Sequence, residues 1–246
     1  MMTIVLVTVF TVISHVNAYG VIKDWDHFTF TQSWPQTVCI MKETGQQCVI
    51  PPRITSFVIH GLWPSKGNTK KPVNCSNQTF DSNSIKNLTN ELNNDWPNLY
   101  KTKDKYEFWR HEWSEHGTCA VSLNATGTEY LYFRKTLDLM QTFNATKYLN
   151  AENIFPSDEK NYSTDDIAKI LFKEIGNDVD LQCYPEQNLR QSSTKNVLAE
   201  IRICMDKNFN VISCKNFTDS NMYFRTKKNS DTEPCAGTLI FPEIRR

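Results

Sequence analysis

An excess of charge of either sign is missing from this 246-residue sequence, in which 27 Lys and Arg balance 27 Asp and Glu. That balance excludes a broad basic face for gripping a long polyanion, so any nucleic acid must be held at a few nucleotides by stacking and local contacts. The pairs Lys70-Lys71, Lys227-Lys228 and Arg245-Arg246 read as solvated. Histidine is scarce, with five in the chain. Cys-x-x-Cys does not occur, which removes the zinc ribbon and the thioredoxin-type site. His-Glu-x-x-His is missing too: His111-Glu112 opens like it, but His116 follows five positions after His111, about 140° away around an α-helix. No metal and no cofactor is expected.

Long apolar runs are confined to Ile4 to Ile13, which is too short to span a bilayer. Small residues follow at Val16-Asn17-Ala18, so residues 1–18 read as a signal peptide cleaved before Tyr19, its n-region charged only by the amino terminus. With no Gly/Ser linker, internal repeat or low-complexity tract to divide it, 19–246 reads as one domain without a membrane span. A monomer is expected, although nothing in the sequence fixes the oligomeric state. Secretion fits two further features. Seven Asn-x-Ser/Thr acceptors stand at Asn74, Asn77, Asn87, Asn124, Asn144, Asn161 and Asn216. All eight cysteines, Cys39, Cys48, Cys75, Cys119, Cys183, Cys204, Cys214 and Cys235, lie beyond the leader, an even number that argues for four bridges without choosing their pairing. The destination is extracellular or lysosomal.

The patterning mixes strands and helices. His27 to Thr31 alternates as a strand that Ser33-Trp34-Pro35 ends, while Phe57 to Ile59 is a buried strand stopped by Gly61 and Pro64. Cys39 and Cys48 bracket a polar loop and suggest a short disulfide hairpin. Helical spacing of Ile85, Leu88, Leu92 and Trp96 runs to Pro97. A further helix spans about Thr128 to Phe143, with Thr126-x-x-Glu129 as capping box and Tyr130, Phe133, Leu137 and Met140 inward. Another starts at Ser163-x-x-Asp166, buries Ile167, Ile170, Leu171 and Ile175, and ends at Gly176. Val197 to Met205 and Phe209 to Cys214 form a hairpin that Cys204 and Cys214 could staple. Strands and helices without βαβ regularity indicate an α+β fold, an antiparallel sheet packed with helices.

Two stretches carry chemistry. In Tyr106 to Cys119, Glu112 and His116 share one helix face, His111 and Glu115 share the next, and Gly117 suits a C-cap. The alternative reading of the segment alone is a solvent-facing helix with intrahelical charge pairs. In Ser56 to Pro64, His60 sits at a strand end, where scaffolds present functional groups. Taken singly, His60 also fits a core imidazole bonded to a carbonyl, and Trp63 fits core packing as well as base stacking. Together they hold two imidazoles and a carboxylate without a metal set or a recognised nucleophile, and that combination suits RNA cleavage. One neutral imidazole takes the 2′-OH proton and a protonated one hands a proton to the departing 5′-oxygen. Imidazole serves both roles because its ordinary pKa lies near about 6.5.

Phe57-Val58-Ile59-His60-Gly61-Leu62-Trp63-Pro64 and His111-Glu112-Trp113-Ser114-Glu115-His116-Gly117-Thr118-Cys119 resemble the two active-site segments of the secreted ribonuclease T2 family. The likeness extends through Phe30 to Pro35 and the cysteine layout, and Ile201 to Cys204 with Cys214 resembles its animal branch. The sequon load also resembles the secreted omega-1 type of parasitic helminths. The resemblance implies His60 as general acid, His116 as general base, Glu112 orienting the phosphate or its histidine neighbour, His111 binding phosphate and Trp63 stacking on a base. It also implies single-stranded RNA as partner, 2′,3′-cyclic phosphate products, no metal, and the pairs Cys39–Cys48, Cys75–Cys119, Cys183–Cys235 and Cys204–Cys214. Two positions depart from the family. Glu115 replaces a usual lysine and would oppose charge on the reacting phosphate unless it turns away or pairs with His111, and Ser65 replaces a base-contacting Asp. Glu115 and the many sequons favour a competing class, a catalytically weakened secreted glycoprotein of the same fold that engages receptors through its glycans or surface loops.

Overall fold

The computed structural model describes residues 24–41, 47–67, 72–188, 193–217 and 232–245. The expected leader, residues 1–18, lies outside them. In chain order the elements are β1 (His27–Ser33), α1 (Pro35–Ile40), β2 (Val58–Ser65), α2 (Thr89–Asp95), α3 (Glu107–Glu112), α4 (Thr118–Ala120), α5 (Glu129–Thr142) and α6 (Ala145–Ala151). They continue with β3 (Ser157–Ser163), α7 (Thr164–Ile175), β4 (Asp180–Asn188), β5 (Ser193–Met205), β6 (Val211–Ile212), β7 (Glu233–Pro234) and β8 (Thr238–Phe241). The main sheet runs β2-β1-β5-β4-β7, with β6 and β8 also pairing β5 and β3 pairing β8. All its pairings are antiparallel except β5 with β8. The fold is α+β, as the patterning predicts.

β1 is buried along its whole length, and its two faces have different jobs. Phe28 and Phe30 pair with Met205 and Ile203 of β5 and join the apolar core beneath the helices. Thr29, Thr31 and Ser33 face the other way, opposite Cys204, Arg202 and Glu200. The core face takes in Trp34, Phe57, Trp96, Tyr132, Phe133 and Phe241, all essentially without solvent contact. Burial of this much aromatic surface drives the collapse on which the polar face is mounted.

Several local expectations need correction. β2 does not stop at Gly61 and Pro64 but continues to Ser65. It is an edge strand, so Pro64 has no second ladder to supply with an N–H. Thr126 does not cap α5; Thr128 does, accepting from Leu131 N, while buried Thr126 donates to the Ala120 carbonyl. Phe133, Leu137 and Met140 face the core from α5 as expected, but Tyr132 joins them in place of Tyr130, which lies at the solvent edge of the apolar stripe, 39% exposed. α7 follows expectation, with Ser163 at its N-cap and Gly176 left-handed at φ 86°. Cys39 sits on α1, so its bridge to Cys48 ties a helix to the following loop and does not close a hairpin. The other bridges are Cys75–Cys119, Cys183–Cys235 and Cys204–Cys214, the pairs that the resemblance implies.

Candidate active site

His60 is delivered by an irregularity in β2. Gly61 pairs with Thr31 and Ile59 with Gln32, so His60 is the one extra residue between them, a β-bulge. The bulge turns the imidazole onto the polar face, where its ring is 4.9 Å from that of Trp63. Its backbone is fixed from the core side, since Trp96 Nε1 donates to the His60 carbonyl at 2.9 Å. Its Nδ1 is 2.6 Å from Oε1 of Glu200, which is buried on β5.

The second motif is not one continuous α-helix. α3 passes into a π-helical segment, Trp113–Gly117, before α4 resumes. The wider turn absorbs one residue and changes which side chains meet. His111 and His116, about 140° apart on an α-helix, here have ring centroids 6.3 Å apart. Donor atoms of His111, Glu112 and His116 lie within 4.8 Å of one another. The angular argument against a metal therefore loses its premise. The three groups are close enough together to hold a divalent cation. Gly117 is not a C-cap either, as its φ is −58° and the chain remains helical through it. It is small for another reason: a Cβ there would meet the Trp113 ring at 2.3 Å.

The two motifs meet at Trp63. Its ring centroid is 5.5 Å from that of His116, and its Nε1 donates to Glu112 Oε2 at 3.0 Å. Gly61 makes room for that carboxylate, for a Cβ at position 61 would lie 2.2 Å from Glu112 Oε2. Trp63 is only 4% exposed, so the face expected to stack on a base is covered. The indole is a wedge that sets the spacing between the imidazoles and orients Glu112. Beneath it, Tyr132 donates to the Leu62 carbonyl at 2.9 Å, its phenol pushed well above the ordinary value by burial and then by the Glu112 carboxylate.

Glu115 is held by Asn74. Its Oε1 accepts from Asn74 Nδ2 at 2.9 Å, and its carbonyl accepts from Asn74 N. Beside this contact, Cys75 N donates to Thr118 Oγ1 and Cys75 is bonded to Cys119. The segment after β2 is thus stitched to the end of the motif helix. Ser65, at the other departure from the family pattern, is buried against Thr29 Oγ1 at 3.0 Å.

Two site features escape the sequence reading. Phe108, half-buried on α3 with its ring 6.1 Å from that of His60, is an aromatic surface that stays partly open. Glu200 is the carboxylate behind His60. An acidic residue flanked by Ala199 and Ile201 in an apolar strand is the only signal that could have found it.

The ribonuclease T2 family matches residues 25–214 of the chain. Over 194 residues the chain is 40% identical to ribonuclease Oy of Magallana gigas, spanning 78% of this chain and 88% of that one. Ribonuclease DdI of Dictyostelium discoideum is 34% identical over 220 residues, spanning 89% and 85% respectively. Human RNase T2 superposes with a TM-score of 0.72 at 26% identity, over 89% of this chain and 99% of that one. Such a fold, carrying imidazoles and a carboxylate around one indole, defines a T2-type endoribonuclease. The chain belongs to the ribonuclease T2 family. Oyster and pig relatives support the animal type, while the helminth omega-1 likeness remains a reading of the sequence alone.

Proposed function

We propose that the protein cleaves single-stranded RNA by transesterification, leaving 2′,3′-cyclic phosphate ends, with two histidines exchanging protons and no metal. Neutral His116 takes the 2′-OH proton, the 2′-oxygen forms its bond to phosphorus, and the bond from phosphorus to the 5′-oxygen breaks. Protonated His60 supplies the proton to that leaving oxygen, and solvent restores both rings. Glu112, fixed by the Trp63 N–H, orients the phosphate or His116, and His111 binds a phosphate oxygen. Phe108, rather than the covered Trp63, offers a face on which a base can stack. The observation that carries the reading is that His60 and His116, far apart in the chain, both contact the ring of Trp63. Incubating the purified protein with RNA in EDTA tests it: products ending in cyclic phosphate support the reading, and uncut RNA or other ends refute it.

Secretion as a glycoprotein is part of the same proposal. Asn77, Asn87, Asn124, Asn161 and Asn216 are exposed, Asn74 is exposed but bonded to Glu115, and Asn144 is half-buried, its side chain capping α6. The exposed sequons also favour an additional binding role, in which glycan receptors take up the protein and RNA cleavage follows inside the cell. Mass loss on treatment with an N-glycosidase checks occupancy.

A further inference from the structure

His60 is the histidine that reaches the polar face from a bulge, and it does not stand there alone. Its Nδ1 and Oε1 of Glu200 are 2.6 Å apart. Ser33 Oγ also donates to that oxygen, at 3.3 Å. The other carboxylate oxygen accepts from Arg202 Nε and Nη2, at 2.9 and 2.5 Å. Arg202 Nη1 lies 3.6 Å from Asp180 Oδ2, and Asp180 in turn accepts from Gln182 Nε2.

The sheet places these groups. Glu200 pairs with Ser33 on one side and Gln182 on the other, and Arg202 with Thr31 and Asp180. They form two adjacent rows on one face, and His60, unpaired in the bulge of β2 between Ile59 and Gly61, reaches Glu200 of the first. A structural staple between strands needs only Arg202 between its two carboxylates. The short bond to His60 is extra, and it joins a buried acid, 5% exposed, to an imidazole 38% exposed.

We infer that Glu200 is the positioning residue of the catalytic acid: it holds His60 with Nδ1–H directed into the sheet, so that Nε2 carries the transferred proton, and its charge keeps the ring protonated. The inference rests on His60 being the acid, as proposed above. Arg202 has the tempering part. An unshared buried carboxylate would retain the imidazolium proton too firmly for transfer, and the guanidinium takes up part of that charge. Burial alone would raise the Glu200 carboxyl, but Arg202 and then His60 outweigh it and hold it well below the usual range, so it is ionised wherever His60 titrates. Among the described residues, the charged or titratable groups around His60 include Glu200 and Arg202 of β5, Asp180 of β4 beyond them, and Glu112, His111 and His116 of the second motif.

The test is the pH profile of kcat/KM for Glu200→Gln, from pH 4 to 9. The acid must be protonated, so its loss of proton sets the alkaline, descending limb. We expect that limb to move towards acid by about one pH unit, a loss of about tenfold on the alkaline side, while the ascending limb set by His116 stays in place. Glu200→Asp, which keeps the charge, should restore the alkaline limb even where kcat stays low. An alkaline limb of Glu200→Gln that coincides with the wild type overturns the inference, whatever happens to kcat. A second measurement needs neither activity nor a variant. In wild-type protein with 15N-labelled histidine, neutral His60 should carry its proton on Nδ1; a neutral ring protonated on Nε2 overturns the inference. That arm reads the His60–Glu200 couple even if RNA cleavage fails, so the two readings fall separately.

Discussion

Gly61 and Gly117 matter because side chains belonging to other residues occupy the space where theirs would be. At Gly61 the intruder is the Glu112 carboxylate with its Trp63 partner, and at Gly117 it is the Trp113 ring. Gly61→Ala is therefore expected to push Glu112 off its hydrogen bond, lowering kcat/KM at least about tenfold while costing about 1–3 kcal/mol of stability through overpacking. Steady-state kinetics and a denaturant titration on the same preparation check both figures. His60→Phe and His116→Phe should each lower cleavage by about 10²–10⁴-fold, the usual worth of a positioned acid or base. Circular dichroism should show an unchanged fold, and wild-type rates in either variant would refute the roles. At this scale the residue types and their order named His60, Glu112 and His116 as candidates, and the structure gathers all three around Trp63. The sequence was silent about what Trp63 touches, because an aromatic beside an active-site histidine reads the same whether it is open to a base or closed over a carboxylate.

Two departures from regular geometry build the site from its elements. A β-bulge presents His60, and a π-turn gathers His111, Glu112 and His116. Neither was legible. Angular reasoning assumes 100° per residue, and nothing in Trp113-Ser114-Glu115-His116-Gly117 announces the wider turn, which tertiary packing of Trp113 against Gly117 and Tyr132 accommodates. Likewise, Gly61 and Pro64 read as strand breakers until the strand is known to lie at an edge. Helix ends with local chemistry, such as Ser163 and Gly176 of α7, were legible because the signal and its cause lie within a few residues. The Cys75–Cys119 bridge locks the segment after β2 onto the end of the motif helix. Replacing both cysteines with serine should cost about 2–5 kcal/mol in unfolding free energy. Activity should fall more steeply with temperature than in the wild type, and an unchanged melting midpoint would contradict this.

The whole molecule has no net charge and carries a polar face, with the candidate site on it, over an aromatic core. Glu200 is held below the usual carboxylate range, so the stability it contributes is present above the unfolded value and is lost only as pH falls through the depressed one. Asp95 and Glu129 run the other way. Burial raises both carboxyls, so their contribution is present below the unfolded value and is lost as pH rises through the raised one. The melting temperature at pH 5 should therefore equal or exceed that at pH 7. A fall of about 5 °C, roughly 1–2 kcal/mol for a chain of this size, would contradict the account.

The assignment of acid and base is tested most directly by a substrate whose 5′-bridging oxygen at one ribonucleotide linkage is replaced by sulfur. A thiolate leaves without a proton, so the general acid becomes dispensable and the general base does not. His60→Phe should cleave this linkage at a rate approaching that of the wild type, while His116→Phe should remain inactive. The reverse pattern, or no rescue of either variant, would contradict the account.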